Sequence, residues 1–485
     1  MSTLDAVIIG SGFSGLGMAI ALQKSGRRFV VLEKGPGVGG TWRENRYPGC
    51  ACDMPSHLYS FSFAQNPEWS QLYAPQKEIL AYLERVAVDH GVLPSCRFGQ
   101  EVASCTWSDE RSTWTVTTTR GEVHEAKHLV LGVGALHHPK FPEVSGRETF
   151  TGVQLHSAAW DESVDLRGKR VAVVGTGASA IQLVPSLAPL VQHLTLFQRT
   201  PAWVIPRDDG PTSGLAKKLY RVAPWLMKVV RAGMYAKRES RALAFTRAPK
   251  LLGAAEWIGK RHLRAQVKSP ELQARLTPAY SAGCKRILLS DDYYPAFNRP
   301  NVTLESCAVK AVTPTGLITS DGRLVEVDAI AWCTGFDVAA PLSKLKVVGR
   351  AGRELAKDAW RDGLHAYRGT TVPGFPNMYL LMGPNTGLGH NSMVYMIESQ
   401  IHFAMQHVEK LERTGAKAIE VTEAAERAFN LGLQQKLAGT VWATGCTSWY
   451  LDDQGHNAVL WPGATFAFRK LTRAIEPGDV TLTKG

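Results

Sequence analysis

Ala6-Val7-Ile8-Ile9-Gly10-Ser11-Gly12-Phe13-Ser14-Gly15 decides the fold of this chain. Four apolar residues in a row read as a buried strand, and G-x-G-x-x-G follows without a gap. A helical pattern continues from Leu16 to Leu22, and a second apolar run, Phe29-Val30-Val31-Leu32, ends in Glu33. Strand, glycine turn, helix, strand and acid in that order form a dinucleotide-binding unit. The glycines Gly10, Gly12 and Gly15 allow the tight turn and a close approach of backbone to pyrophosphate. The helix N-terminus at Phe13 and Ser14 faces the phosphates, and Glu33 can accept hydrogen bonds from ribose hydroxyls.

The pattern recurs. Arg170 to Val174 reads as a strand, Gly175-Thr176-Gly177-Ala178-Ser179-Ala180 follows as G-x-G-x-x-A, and the strand Leu194 to Phe197 runs into Gln198-Arg199-Thr200. Glu33 stands 23 residues after Gly10, and Gln198 stands 23 after Gly175, so the acid has become an amide with Arg199 beside it. An acid would repel a ribose 2′-phosphate, whereas an arginine pairs with it. The first unit suits a cofactor with free ribose hydroxyls, and the second suits NADP. Together they point to hydride delivery from NADPH to a bound FAD. The apolar runs His128 to Gly134 and Ala329 to Gly335 are placed to return the chain at the end of each unit. The expected fold is α/β, with two Rossmann-like, three-layer dinucleotide-binding domains, one for FAD and one for NADP. The FAD domain is split: residues 1–145 open it and residues 341–485 close it, around an NADP domain at 146–340.

The chain has 485 residues, 45% hydrophobic and 20% charged, a mix that excludes disorder, collagen-like repeats and a coiled coil. Its net charge of +12 is not spread out. Pro211 to Arg275 holds 15 Lys and Arg against Glu239, Glu256 and Glu271, and the remainder is neutral. Leu215, Leu219, Val222, Leu226, Val229 and Val230 recur there at helical spacing. The stretch therefore reads as two or three amphipathic helices inserted at about 211–280 in the NADP domain. The pattern is that of amphipathic helices and not the aromatic stacking platform of a nucleic-acid groove, so nucleic acid is not an expected partner. A solvated helical face is the plain reading, and a cap leaning on an anionic membrane or partner is the sharper one. The N-terminus shows no signal peptide, and no apolar run is long enough for a span, which points to the cytoplasm.

Eight cysteines are too sparse for a disulfide scaffold and none has metal-ligand spacing, so no metal is expected. Cys50 and Cys52 lie near the first unit, but C-x-C closes a strained ring, which argues against a disulfide reductase. Between the units stands Phe150-Thr151-Gly152-Val153-Gln154-Leu155-His156-Ser157-Ala158-Ala159-Trp160-Asp161, or F-x-G-x-x-x-H-x-x-x-W-D. With this run the sequence resembles the type I Baeyer–Villiger monooxygenases, which use FAD and NADPH. Related flavin-containing monooxygenases carry Tyr or Phe where Trp160 stands. The resemblance implies a supporting role for Phe150, Gly152, His156 and Trp160 at the interdomain linker.

Other family motifs follow in order. Gly39-Gly40-Thr41-Trp42, Asp53 and Tyr59 look like the loop that embraces the flavin, with Asp53 by the flavin ring. Val102 and Met393 join the FAD-binding candidates. Ala282-Gly283-Cys284-Lys285-Arg286 looks like the family's K-R pair, which implies that Lys285 binds the 2′-phosphate and Arg286 enters the active site. Gly383 to Met393, with three glycines in seven residues, suits backbone approach to the flavin, and Ser448-Trp449-Tyr450 resembles a loop whose Trp contacts the nicotinamide nucleotide.

The activity implied is insertion of one oxygen atom of dioxygen beside a ketone carbonyl, by way of a flavin peroxide, to give an ester or lactone. Arg286, held by Asp53, is the catalytic candidate, because a guanidinium stays cationic and presents several donors to negative charge. Three rivals stay open: an N- or S-oxidising flavin-containing monooxygenase, an NADPH-dependent flavoprotein reductase, and a membrane-associated binding protein.

Overall fold

A computed structural model describes residues 3–443, 450–451 and 455–484. Strand β1 (Leu4–Ile9) is buried from Ala6 to Ile9, both of its faces being covered, which explains an unbroken apolar run in place of alternation. Helix α1 (Phe13–Lys24) follows, then β2 (Phe29–Glu33), which pairs with β1 in parallel. β2 continues to Cys96–Phe98. On its other side β1 pairs in parallel with Val123–Leu131, which leads through Thr113–Thr118 to Val102–Ser108 as an antiparallel meander. Two strands from far along the chain complete this eight-stranded sheet, both parallel: Lys346–Val348 beside Val102–Ser108, and Met378–Leu380 beside Val123–Leu131.

The second sheet is wholly parallel. Strand β3 (Arg170–Val174), helix α2 (Ala178–Leu187) and strand β4 (His193–Phe197) form its nucleotide-binding turn. The order is Val302–Glu305, β4, β3, Ala329–Trp332, Val153–His156. The return strands end sooner than their apolar runs suggest, at Leu131 and Trp332. Gly134 and Gly335 sit in the turns beyond, at φ of +68° and +94°. One apolar cluster runs through both sheets, joining Ile8, Leu16, Val173, Leu196, Trp160 and Ile401. The long helix Met393–Thr414 lies against α1. A Cβ on Gly17 would come 2.6 Å from Ile401 Cδ1, so glycine there lets the two helices close. That contact anchors the loop ahead of Met393 beside the first glycine turn.

The basic segment contains five α-helices where the periodicity suggested two or three: Gly214–Val222, Trp225–Glu239, Ala242–Thr246, Leu252–Gln266 and Pro270–Leu276. Ala223-Pro224 ends the first, since a residue before proline leaves the helical region. Ser213 and Ser269 cap their helices by accepting from the amides of Ala216 and Leu272. Phe245 and Leu252 pack with Trp442, Trp461 and Phe468 near the C-terminus. Leu215, Leu219, Val222 and Val229, which a globular helix normally buries, face solvent.

Candidate active site

The first glycine turn leaves its helix amides open. Gly10 adopts φ of +93°, and a Cβ there would meet Gly132 O at 2.6 Å. Gly15 has no room at all, because its Cβ would fall 1.8 Å from Gly10 O. Gly12 is the N-cap of α1, and no side chain caps that end. Across from it a Cβ on Gly40 would lie 2.9 Å from Gly12 Cα. Two glycines thus face each other over open helical amides, which fits the pyrophosphate of FAD. Glu33 is 7% exposed; its carboxylate accepts from Ser11 N at 2.9 Å, Ser11 Oγ at 2.7 Å and Gly35 N at 2.8 Å. A carboxylate has about four lone-pair sites, so one stays open to a ribose hydroxyl. Phe13 and Ser14 are buried at the helix start. Trp42 Nε1 donates to Tyr59 Oη at 3.3 Å, and the Tyr59 ring meets Phe13 edge-on at 5.1 Å. Thr41 opens the short helix Thr41–Glu44 that carries Trp42. Val102 begins its strand two residues after Gln100, whose backbone amide donates to Glu33 O, so the chain passes beside the acid just before this strand.

The second turn differs in one respect. Gly175 is confined, at φ of +117° with a Cβ position 2.3 Å from Cys333 O, but nothing lies within 4 Å of a Cβ on Gly177. Thr176 Oγ1 donates to Thr200 O at 2.7 Å, tying the turn to the end of β4. Ala178 is exposed, and Ser179 stands beside the buried Tyr47. Gln198 points elsewhere, its Nε2 donating to Arg275 O at 2.8 Å. Arg199 is exposed and close enough to Lys285 to act on it. Partial burial, then the charge of Arg199, hold the Lys285 ammonium below the usual lysine range, and its Nζ lies 5.1 Å from the Tyr280 ring centre. Among the described residues neither cation pairs with a carboxylate. Two unneutralised cations beside an open glycine turn fit the 2′-phosphate of NADP.

Arg286 and Asp53 meet although 233 residues separate them in sequence. Lys285-Arg286 precede the two-residue strand Leu288–Leu289, which pairs with Val204–Ile205 and fixes the direction of the arginine. Nε and Nη2 of Arg286 both donate to Asp53 Oδ2, at 3.0 and 2.5 Å, and Nη1 reaches Leu388 O at 3.4 Å. The two side chains are 31% and 32% exposed, so the pair lines a cleft that solvent can enter. Burial alone would raise the Asp53 carboxyl; the charges of Arg286 and Arg238 outweigh it and hold the group below the usual carboxylate range. Asp53 in turn raises Arg286, which stays a cation.

The sequence did not single out the neighbours of this pair. Arg238, 6% exposed at the end of Trp225–Glu239, donates to Tyr73 Oη. Glu239 beside it is buried and accepts from Asn391 Nδ2, Thr465 N and Thr465 Oγ1, joining the insert to the loop before Met393 and to the helix Thr465–Leu471. His390 lies 3.8 Å from Glu239, neither ring nitrogen is hydrogen-bonded among the described residues, and burial lowers it to about 4. Tyr450 is 2% exposed; burial raises its phenol although Arg286 is adjacent. Arg207 Nη2 donates to Cys52 O and Tyr73 O. The signals for these in the sequence are charged residues at the end of an amphipathic helix, the run Gly383 to Met393, which holds His390 and Asn391, and Tyr450 beside Trp449. Trp449 itself lies outside the described residues.

Three features also have roles in the protein's own packing. A Cβ on Gly383 or Gly387 would meet Gly369 O at 2.3 Å or Val459 O at 2.7 Å, so protein neighbours account for these two, whereas one on Gly389 would make only ordinary contact with the Trp442 ring at 3.5 Å. Met393 is the first residue of its helix, with Ser392 as the cap. Cys50 and Cys52 are buried free thiols; burial pushes Cys50 up to about 12 and Cys52 higher, which suits inert residues better than redox ones.

The run Phe150 to Trp160 lies under the crossing between the units. Phe150 and Trp160 are buried, and a Cβ on Gly152 would meet Asp328 O at 2.4 Å. His156 ends its strand opposite Trp332; its Nδ1 accepts from Ala158 N at 3.0 Å, and its ring meets Phe141 at 4.9 Å. Burial lowers it to about 4, so it is neutral. Above it Lys140 N donates to Gly335 O and Asp337 N to His138 O, pairing the two connecting segments.

Residues 7–239 match the family model described as pyridine nucleotide-disulphide oxidoreductase. The chain is 48% identical over 472 residues to a Baeyer-Villiger monooxygenase of Streptomyces coelicolor, covering 97% of this chain and 91% of that protein. It is 46% identical to another, from Pseudomonas aeruginosa, over 98% and 91%. Among solved structures it resembles a steroid monooxygenase bound to NADP, with a TM-score of 0.89, 31% identity and full coverage of both chains. Cyclohexanone monooxygenase from Rhodococcus sp. Phi1 bound to NADP+ gives a TM-score of 0.89 at 30% identity, again over both whole chains. On relatives this similar over nearly their whole length, the chain belongs to the Baeyer–Villiger monooxygenases.

Proposed function

We propose that this FAD- and NADPH-dependent monooxygenase inserts one oxygen atom of dioxygen beside the carbonyl of a ketone, giving an ester or lactone, with Arg286 and Asp53 as its catalytic pair. The observation that carries the assignment is the Arg286 guanidinium, fixed on Asp53 Oδ2, standing next to the loop at Leu388 in a cleft of intermediate exposure. When bound, FAD passes electrons from NADPH to dioxygen, chemistry that no side chain supplies. The chain does the rest. Gly10, Gly12, Phe13, Ser14, Gly15 and Glu33 hold the dinucleotide, and Gly40, Thr41, Trp42 and Tyr59 wall its ring. Gly175, Thr176, Gly177, Ala178 and Ser179 receive NADP, with Arg199, Thr200 and Lys285 at its 2′-phosphate. Phe150, Gly152, His156 and Trp160 support the crossing between the units. Val102 and Met393 complete the flavin side.

Arg286 must hold negative charge as it grows on the carbonyl oxygen under attack. A fixed cation does this without reorganising, and its value rises where water is excluded. Asp53 positions the guanidinium by taking two of its five donors while Leu388 O takes a third, so the charge is held in one place to face the substrate. The site residues come from residues 1–145 and 341–485 on the flavin side and 146–340 on the NADP side, with the insert at about 211–280. These are the domain limits we assign. The test is product analysis. The yellow, flavin-loaded protein is incubated with NADPH, dioxygen and linear, cyclic and aryl ketones plus a thioether. Esters or lactones carrying one added oxygen are expected by mass spectrometry. Sulfoxide alone, or NADPH consumption with no oxygenated product, overturns the reading.

A further inference from the structure

We infer that the outer face of the basic insert is a docking surface for an anionic lipid bilayer. The first two insert helices are fixed on one side only. Arg221 pairs with Glu68 at 2.5 Å, and Arg231 Nη1 donates to the carbonyls of His57, Leu58 and Ser60 at 2.6, 3.2 and 2.9 Å. Away from those contacts stand Leu215, Leu219 and Val222, spaced four and three residues apart, then Trp225 and Val229, spaced four apart. Such spacing places each set on one helix face. They are 69%, 47%, 86%, 62% and 58% exposed. A surface helix of a monomer normally turns apolar residues at this spacing to the core.

The charge around this stripe is one-sided. The insert has three acids, but Glu239 is buried in hydrogen bonds to Asn391 and Thr465, and Glu256 accepts from Ala282 N at 2.9 Å. Only Glu271 among them is exposed, against cations such as Lys218, Lys228, Lys250 and Lys260. Lys218 and Lys228 pair with no carboxylate among the described residues. Apolar side chains that insert among acyl chains, tryptophans that settle at headgroup depth and unpaired lysines that meet lipid phosphates describe a helix lying in the interface. Among the described residues no helix is long and apolar enough to cross a membrane, so the contact is peripheral. Nucleic acid would satisfy the lysines and leave Leu215, Val222 and Trp225 in water.

The flavin-loaded enzyme should co-sediment with vesicles containing about one-third phosphatidylglycerol in phosphatidylcholine, and much less with phosphatidylcholine alone, losing binding as salt rises. Replacing Val222→Ser with Trp225→Ser, both exposed, should leave ketone oxidation in buffer unchanged and weaken vesicle binding about tenfold. Lys218→Glu with Lys228→Glu should weaken it by more than tenfold. Absence of sedimentation at low salt overturns the proposal. So does equal binding to both vesicle types that the variants do not change. Concentration-dependent dimerisation that the Val222→Ser, Trp225→Ser variant abolishes would assign the patch to a second copy of the chain and overturn it as well.

Discussion

Nε and Nη2 of Arg286 converge on one oxygen of Asp53, Oδ2, although 233 residues separate the two in sequence. The carboxylate is the more constrained partner. It sits between Cys52 and Met54, both buried, and feels Arg238 as well as Arg286. The aspartate therefore sets where the guanidinium points, and in the proposed reaction the guanidinium meets the substrate.

Arg286→Ala should still consume NADPH, because the contacts proposed for NADP lie at Arg199, Thr200 and Lys285. Ester formation should fall on the order of 100- to 1,000-fold, the usual loss when one preorganised electrostatic donor is removed. Asp53→Asn keeps the shape and drops the charge, so product should fall less steeply while NADPH oxidation continues. Product yield per NADPH, read by mass spectrometry beside cofactor consumption, checks both. Normal ester yield from Arg286→Ala would falsify the assignment.

Arg199 and Lys285 should decide between NADPH and NADH. A hydrogen bond to a charged group contributes about 1.5–3 kcal/mol, so Arg199→Ala should raise KM for NADPH about 10- to 100-fold and leave NADH nearly unchanged. Lys285 is held below the ordinary lysine range by burial and by Arg199. Its charge is present at neutral pH and is lost, as pH rises, sooner than that of a free lysine. KM for NADPH should therefore climb on the alkaline side, and Lys285→Arg should flatten that climb. A KM profile indifferent to both substitutions contradicts the 2′-phosphate site.

The two glycine turns were legible because their chemistry is local. Gly10 at φ of +93° and Gly175 at +117° need glycine for reasons written within ten residues of sequence. Asp53 and Arg286 became legible only through resemblance, since a carboxylate before proline and a Lys-Arg pair are common anywhere. Arg238 and Glu239 were not legible at all. At the end of an amphipathic helix they look like solvated charges, and their burial depends on Tyr73 and Thr465, far away in sequence. The apolar stripe from Leu215 to Val229 misleads in the opposite way. Periodicity marks a face but cannot say what covers it, and here that face is turned to solvent.

Acid should destabilise the fold before its carboxylates titrate. Burial lowers His128 to about 3 and His407 to about 4, and both are under 5% exposed. The unfolded chain binds these protons near pH 6.5 and the folded chain does not. Stability is thus untouched by them above pH 6.5 and falls as pH drops below it. Their contribution levels off near pH 4 for His407 and near pH 3 for His128. Tm should decline across that window, and a flat Tm between pH 6.5 and 4.5 would show that these rings are not neutral in the fold.

Gly177 and Gly10 should answer the same substitution in opposite ways. Gly177 has ordinary extended backbone, φ of −79°, and open space where a Cβ would go. Gly177→Ala should fold, stay yellow and keep its Tm within about 2 °C, since an unstrained surface change shifts stability by under about 0.5 kcal/mol. Its methyl group would stand where the NADP phosphates approach the helix amides, so KM for NADPH should rise by about tenfold or more, the cost of one lost charged hydrogen bond. Gly10→Ala meets Gly132 O at 2.6 Å and forces a left-handed φ on alanine, a strain of about 1–3 kcal/mol before any clash. It should purify pale, with a lowered Tm and little bound flavin. Absorbance of the bound flavin, Tm and KM for NADPH measured on both proteins separate a turn that shapes the fold from one that mainly receives a ligand. If Gly177→Ala leaves the KM for NADPH unchanged, NADP does not approach this turn.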